Sequence, residues 1–231
     1  KHHGDIVISA SDGHSTIFDM LDGKYINKKI KGYYEKLSIF PPLILVALGV
    51  NRSFEGMPHV IYWPLKKPVS IAGEELKRFG VHIYNYDPTL APEGKTVLKC
   101  QLITNYDYWK ELSKNPLRYK EEKEEIARKV IGLLEERFSG LSSQIEMCDV
   151  ATPVTWERYT GNWQGSFEGW LITTKTVGMQ MSKTLPGLSN FYMVGQWVEP
   201  GGGVPTAAIS GRNVIQIICK REKKLFVTKI P

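Results

Sequence analysis

The spacing of hydrophobic and polar residues changes several times along the chain. Residues 5–9 predict a strand, and Ser11 and Asp12 after it predict the cap of a helix that continues to Leu21. Four further stretches are apolar or alternate between apolar and polar residues, and no long helix separates them. We therefore expect them to form an antiparallel or mixed sheet. These stretches lie at residues 38–50, 60–63, 81–86 and 96–103.

A long helix follows these strands. Asn115 is a suitable N-cap and Pro116 a suitable first residue, and apolar residues then recur at helical spacing as far as Phe138. The alternating acidic and basic residues on the other face predict a solvated surface with no functional meaning. Residues 145–151 predict a further strand, and a short helix begins at Thr152.

The most informative stretch lies near the C-terminal end. Phe191 to Val194 predicts a buried strand, Pro200 to Gly203 a turn, and Val204 to Ile218 a helix with Pro205 in its first turn. The first N–H groups of a helix have no partner inside it, and the macrodipole adds partial positive charge there. The glycines lack Cβ atoms, so the backbone can contact a flat ligand. The pattern predicts a site for a polar or anionic group, although a helix after a flexible loop is the alternative.

Composition narrows the class of protein. The 231 residues are 42% hydrophobic and 23% charged, with no apolar run long enough to span a membrane, which is typical of a soluble globular protein. A net charge of +6 is too diffuse to indicate nucleic-acid binding. The basic run Lys220–Lys224 favours a solvated helix end, with a peripheral membrane contact as the alternative. Three scattered cysteines predict no metal site and a reducing compartment, so we expect a cytoplasmic location.

No catalytic side chain can be named from the sequence. The five histidines have no metal-ligand or triad spacing, no nucleophile elbow is present, and paired carboxylates occur only on the charged helix face. This pattern favours chemistry carried by a bound cofactor.

Three stretches carry a family resemblance. Residues 191–212 resemble the C-terminal FAD signature of the phytoene desaturase family, the carotenoid desaturases and isomerases within the flavin-containing amine oxidase group. Residues 87–98 resemble a segment of that family's substrate-binding half, and residues 4–12 resemble the strand that leaves its flavin domain. The resemblance implies an FAD-dependent dehydrogenase or desaturase acting on a long apolar isoprenoid such as a carotenoid precursor. A polyene isomerase and a non-catalytic isoprenoid- or lipid-binding module are the alternatives.

The resemblance also implies an architecture. We expect a mixed α/β (α+β) fold in which a partial Rossmann-like FAD-binding domain carries an inserted substrate domain with an antiparallel or mixed sheet. Residues 1–22 and 151–231 would belong to the flavin domain, and residues 23–150 to the substrate domain.

Two sets of site residues follow from the same resemblance. The first set would contact FAD, and its glycine turn would lie at the flavin ring. The backbone N–H groups that follow the turn would stabilise the negative charge of the reduced ring. This set is Gly195, Gln196, Gly202, Gly203, Val204 and Pro205. The second set consists of aromatic residues that would either line an apolar substrate tunnel or fill gaps between domains. These residues are Phe40, Trp63, Tyr84, Trp163 and Trp170.

The dinucleotide fingerprint Gly-x-Gly-x-x-Gly of an FAD-binding domain does not occur in these 231 residues. We therefore expect the sequence to be the C-terminal part of a longer enzyme, and FAD to bind the full-length protein but not this chain alone. We expect the helix from Val204 to Ile218 and the strand from Ile6 to Ile8 to lack the neighbours that they have in the longer protein, so that the chain can associate with another copy.

Overall fold

The computed structural model describes residues 2–228, which form two compact units. Unit 1 combines both ends of the chain, up to Phe40 and from Glu157 onward, and unit 2 is the continuous segment Pro41–Trp156. The domain boundaries after residues 22 and 150 remain a prediction about the domains of the longer protein. The regular elements, in chain order, are β1 (Val7–Ser9), α1 (Lys28–Lys36), β2 (Leu43–Val50), β3 (Val60–Ile71), β4 (Glu74–Tyr84), β5 (Thr96–Ile103), α2 (Tyr106–Leu112), α3 (Pro116–Arg137), β6 (Ile145–Ala151), α4 (Pro153–Thr160), β7 (Phe191–Met193) and α5 (Gly203–Arg221).

The core of unit 2 is a five-stranded sheet with α3 packed against one face. The strand order is β3-β4-β5-β2-β6, and every neighbouring pair is antiparallel. Alternate residues of β2 are buried, as a sheet with one covered face requires. The apolar face of α3 supplies the other half of this core through Ile126, Val130 and Leu134. The predicted sheet is therefore confirmed as an antiparallel one.

The long helix has the predicted boundaries. The Asn115 side chain accepts a hydrogen bond from the Arg118 N–H at 3.2 Å, which satisfies one free donor of the first turn, and Pro116 follows it. At the other end, Glu135 accepts hydrogen bonds from the N–H groups of Gly140 and Ser142 at 2.6 and 2.7 Å. The helix end is thus closed by its own side chain.

Two strands differ from their predicted limits: β3 continues to Ile71, and β4 begins at Glu74 and ends at Tyr84. We expected strands at residues 60–63 and 81–86, whereas β3 and β4 form one long hairpin. Ala72 and Gly73 form its two-residue turn with φ angles of 49° and 81°, as a type I′ turn requires. The pairing register shifts between Pro64 and Val69, because prolines cannot donate to the ladder.

Unit 1 contains a two-stranded parallel sheet. β1 pairs with β7, with Ile8 opposite Tyr192. Both predicted strands are therefore present, and their pairing joins opposite ends of the chain. The helix predicted after β1 is different in kind: Ser15–Met20 is a π-helix. The predicted cap is present, since the Asp12 carboxylate accepts the Ser15 N–H at 2.8 Å.

The two units together confirm the predicted mixed α/β class, with one parallel and one antiparallel sheet. The Rossmann-like character of unit 1 remains a prediction. No helix within residues 2–228 has both the length and the apolar character needed to cross a bilayer.

Candidate functional site: the glycine turn of unit 1

The strand, turn and helix predicted near the C-terminal end are present. β7 leads into a turn in which Gly195, Gly201, Gly202 and Gly203 have φ angles of 102°, 125°, 64° and 78°. Side chains other than glycine are strained in this left-handed region, so the turn depends on its glycines. α5 begins at the last of these glycines, Gly203.

The N-terminus of α5 has the properties of a binding site for a polar group. Its N-cap residue, Gly202, provides no side-chain hydrogen bond to the first turn. Val204 is 83% exposed, and Pro205 has no N–H of its own. The remaining first-turn N–H groups therefore lack a capping side chain that would compete with a ligand.

Ser210 fixes the first residue of the turn. This fully buried hydroxyl accepts the Gly195 N–H at 2.6 Å and donates to the Ala207 carbonyl oxygen at 2.6 Å. It ties the end of β7 to the second turn of α5. These hydrogen bonds depend on a contact across the turn that sequence spacing does not reveal.

An ion pair fixes the next part of the turn. The Lys183 ammonium lies 2.5 Å from the Glu199 carboxylate and also donates to the Val198 carbonyl oxygen. The Lys183 side chain is only 8% exposed, so its partners are required to offset the loss of hydration. No local sequence pattern indicated this pair, because its members come from separate segments.

The Gln196 side chain contacts its own chain. Its amide donates to Asn162 Oδ1 at 3.2 Å, and the Trp197 indole N–H reaches the same oxygen at 3.4 Å. A Cβ atom on Gly169 would lie 2.9 Å from the Gln196 carbonyl oxygen. Gln196 therefore supports the turn through Asn162 and a close contact with Gly169, and its role toward FAD stays a prediction.

Glu168 lies beside the start of α5. A Cβ atom on Gly202 would be 2.8 Å from Glu168 Oε2, and one on Gly203 would be 3.8 Å from Glu168 Oε1. We had expected these glycines to be needed for contact with a flat ligand. At Gly202 the neighbouring Glu168 side chain already requires a glycine.

Three of the predicted aromatic residues belong to unit 1. Trp170 is fully buried and donates its indole N–H to the Trp197 carbonyl oxygen at 3.0 Å. Trp163 stacks on His14 with ring centroids 5.0 Å apart and lies 6.4 Å from Trp170. The Phe40 ring lies 5.3 Å from that of Phe167, and the Phe40 N–H donates to the Gly169 carbonyl oxygen at 2.8 Å.

A buried carboxylate supports the same rings. Asp12 is 3% exposed and accepts the backbone N–H of Trp163 at 3.0 Å as well as that of Ser15. Burial raises the pKa of Asp12, although its hydrogen bonds oppose the shift. Burial and the nearby Asp12 charge also raise the pKa of Tyr34, so this phenol stays protonated at neutral pH.

The other two predicted aromatic residues belong to unit 2 and lie on opposite faces of its sheet. Trp63 packs on the helix-covered side, 5.3 Å from Phe79 and 6.5 Å from Phe138. Tyr84 lies on the other face, where the Lys99 ammonium is 5.3 Å from its ring centroid. The two residues therefore do not form one wall within unit 2.

Residues 2–228 contain no group of three or more histidine, cysteine, aspartate or glutamate residues that could hold a metal ion. The cysteines are free, and burial raises the pKa of Cys100 to about 12. Cys100 is consequently a core residue of unit 2 rather than a reactive thiol.

Comparison with known proteins identifies relatives of the chain. It is 32% identical to the chloroplastic prolycopene isomerase of Arabidopsis thaliana over 126 residues, which are 54% of the chain and 21% of that protein. It is 32% identical to the 4,4'-diapolycopen-4-al dehydrogenase of Metabacillus indicus over 61% of the chain and 27% of that protein. It is 23% identical to the lycopene-forming phytoene desaturase of Pseudescherichia vulneris over 90% of the chain and 44% of that protein.

The chain is homologous to carotenoid desaturases, oxygenases and isomerases. It spans less than half the length of these relatives. A crystal structure of an oxidoreductase from Methanosarcina mazei has a similar fold, with a TM-score of 0.52 and 18% identity, over 93% of this chain and 43% of that one. No family model matches the sequence.

Proposed function

We propose that the chain is part of an FAD-dependent oxidoreductase, of the phytoene dehydrogenase type, that introduces double bonds into a long apolar isoprenoid such as a carotenoid precursor. Its homology to carotenoid desaturases supports the class of reaction and substrate. The observation that carries the proposal is the uncapped N-terminus of α5, which follows four glycines in the left-handed region.

The residues of the turn fit a flavin. A Cβ atom on Gly195 would meet no atom within 4 Å, so a ligand can approach the backbone there. The exposed first turn of α5 can donate hydrogen bonds to a polar ring edge and favours negative charge. Bound FAD would supply the two-electron chemistry that removal of hydrogen from a hydrocarbon requires.

The chain's own residues would bind and orient that group. Gly195 and Gln196 would contact its phosphate–ribityl part, and Gly202 to Pro205 its ring. Ser210 and the Lys183–Glu199 pair would hold the turn in one conformation, which lowers the entropy lost on binding. Trp163 and Trp170 would exclude water from the ring, and Phe40 would contact the apolar substrate.

A matched pair of variants tests the flavin site in the full-length protein. Gly203 and Gly94 have φ angles of 78° and 77°, and a Cβ atom on either one meets nothing closer than 3.6 Å. Gly203→Ala and Gly94→Ala should therefore introduce the same backbone strain. We expect only Gly203→Ala to lose flavin absorbance after purification. Equal flavin content in the two variants would contradict the proposed contact.

A polyene isomerase is the second candidate, and the similarity to prolycopene isomerases favours it. The full-length protein incubated with phytoene or with prolycopene distinguishes the two activities. New double bonds with net consumption of an electron acceptor indicate a desaturase. A changed double-bond geometry without net consumption indicates an isomerase. Bound isoprenoid that stays unchanged in both incubations would support the third candidate, a non-catalytic isoprenoid- or lipid-binding module.

A further inference from the structure

A tight turn at residues 162–165 of unit 1 contacts the Gln196 side chain. The Asn162 carbonyl oxygen accepts the Gly165 N–H at 3.0 Å, which closes the turn. Gln164 lies in the left-handed region, with φ and ψ angles of 54° and 27°, although it is not a glycine. A residue of this kind persists there only where the surrounding structure determines its conformation. The turn is therefore held by contacts from outside it.

Asp12 supplies such a contact. One oxygen of its buried carboxylate accepts the Trp163 N–H at 3.0 Å, and the other accepts the Ser15 N–H at 2.8 Å. The two bonds join the segment after β1 to a residue 151 positions later in the chain. A buried carboxylate is costly unless hydrogen bonds satisfy it. Asp12 and the 162–165 turn therefore fix each other's position.

Asn162 extends this restraint to Gln196. Its Oδ1 atom accepts the Gln196 amide N–H at 3.2 Å and the Trp197 indole N–H at 3.4 Å. The half-buried Gln196 side chain makes no other hydrogen bond within residues 2–228. Its amide oxygen and its second amide hydrogen are therefore left for a ligand, while the bond to Asn162 determines which way the amide group faces.

We propose that Asp12 and Asn162 are positioning residues for the flavin. Asp12 holds the 162–165 turn, and Asn162 on that turn orients the Gln196 amide before the cofactor binds. An amide that is already oriented loses less conformational entropy on binding, so the cofactor is bound more tightly. Neither Asp12 nor Asn162 has to contact the flavin. The inference rests on the proposed contact between Gln196 and FAD.

A double-mutant cycle tests this role in the full-length protein. The flavin-free protein is titrated with FAD, and the dissociation constant is compared among the parent, Asn162→Leu, Gln196→Met and the double variant. Each substitution removes a polar group and nearly keeps the size of the side chain. We expect Gln196→Met to weaken FAD binding about tenfold, the equivalent of one neutral hydrogen bond, and Asn162→Leu about threefold to tenfold. The double variant should bind FAD as tightly as Gln196→Met alone, because Asn162 acts only through the Gln196 amide.

Two further variants complete the test. Asp12→Asn keeps the size of the side chain, but its single oxygen cannot replace both carboxylate oxygens as acceptors of the two N–H groups. It should weaken FAD binding in the parent and leave the affinity of the Gln196→Met variant unchanged. Gln216→Met is the matched control, because Gln216 is a half-buried glutamine of α5 outside the proposed site, and it should bind FAD like the parent. Urea unfolding checks that every variant is folded under the conditions of the titration.

The outcomes separate this inference from the proposed function. If the parent binds no FAD, the proposed function itself is wrong. If the parent binds FAD but Gln196→Met or Asn162→Leu binds it equally well, only the positioning role is overturned. Losses that add in the double variant, roughly thirtyfold to hundredfold in total, would show that Asn162 supports the fold rather than the Gln196 amide and would overturn the role as well. An Asp12→Asn variant with the parent's affinity for FAD would overturn the part assigned to Asp12.

Discussion

At the residue scale, the glycine turn depends on side chains outside it. Glycines allow the backbone to adopt the turn but cannot hold it in one conformation, because glycine has the greatest freedom in the unfolded chain. Ser210 and Lys183 provide the restraint through hydrogen bonds to Gly195 and to the segment Val198–Glu199. The turn is therefore preorganised by contacts that connect three separate segments.

Ser210→Ala should destabilise unit 1. The variant leaves the Gly195 N–H without its acceptor inside the protein, a loss of about 1–3 kcal/mol. Urea unfolding followed by tryptophan fluorescence measures the change. The control is Ser143→Ala, which removes an exposed hydroxyl and should alter the free energy of unfolding by less than about 0.5 kcal/mol. A Ser210 variant as stable as this control would show that the hydrogen bond contributes little.

Glu168→Gln should strengthen flavin binding by the full-length protein. It removes a negative charge beside the N-terminus of α5 while keeping the size of the side chain, so an anionic ligand should gain roughly two- to fivefold in affinity. Titration of the flavin-free protein with FAD measures this. Glu222→Gln at the opposite end of the same helix serves as the control, and weaker binding in the Glu168 variant would refute the electrostatic explanation.

Glu135 should make the stability of unit 2 depend on pH. Hydrogen bonds from the Ser142 N–H and hydroxyl and from the Gly140 N–H lower the pKa of Glu135 below 4.5. A carboxyl group whose pKa is lower in the folded protein than in the unfolded chain stabilises the fold at pH values above its unfolded-state pKa. This contribution is lost as the pH falls through its folded-state pKa. The parent should therefore be more stable than Glu135→Gln at pH 7, and the difference should shrink below pH 4.5. A difference that is the same at pH 7 and pH 3 would exclude this linkage.

At the element scale, α3 is the helix that covers one face of the antiparallel sheet. Its buried residues recur at helical spacing and meet the buried residues of alternating strands. The charged opposite face has exposed ion pairs such as Lys120–Glu124, at 3.8 Å. Such pairs contribute little, so packing rather than charge holds this helix in place.

Leu134→Ala should test this packing. Leu134 is fully buried, and its truncation should lower the free energy of unfolding by about 2–5 kcal/mol through lost burial and the cavity left behind. Chemical unfolding of unit 2 provides the measurement. Glu121→Ala on the exposed face of the same helix should change stability by less than about 0.5 kcal/mol, and comparable losses in the two variants would contradict the assigned core face.

At the scale of the whole molecule, unit 1 exposes apolar residues on two of its regular elements, β1 and α5. Unit 2 is continuous and has its own buried core. In unit 1, Val7 and Ile8 of β1 are 48% and 43% exposed, although parallel strands are usually covered on both faces. α5 exposes Val204, Ile209, Ile215 and Ile217 as well. We propose that this apolar surface of unit 1 allows self-association of the 231-residue chain.

The isolated chain should not bind FAD tightly. One helix N-terminus contributes about 1 kcal/mol toward an anion, whereas nanomolar binding requires about 12 kcal/mol. Isothermal titration of the purified chain with FAD should therefore show no stoichiometric complex. A complex with micromolar or better affinity would contradict the interpretation that the dinucleotide-binding half lies outside this sequence.

The sequence by itself determined the elements whose signals are local. α3, β5 and β6 follow from helical spacing, alternation and the Asn115–Pro116 start. The strand, glycine turn and helix of the candidate site follow from an apolar run, four glycines and renewed helical spacing. Each of these signals lies within a few turns of chain, so neighbouring residues suffice to fix the conformation.

Only the tertiary structure decided which distant groups meet. The pairing of β1 with β7 and the Ser210 and Lys183 contacts of the turn all join segments that are separated in sequence. The sequence predicted Trp63 and Tyr84 as one set, but the alternation of side chains along β3 and β4 sends them to opposite faces. Such contacts depend on strand register and packing, which no single stretch of sequence encodes, because a shift of one residue reverses the face of every side chain in a strand.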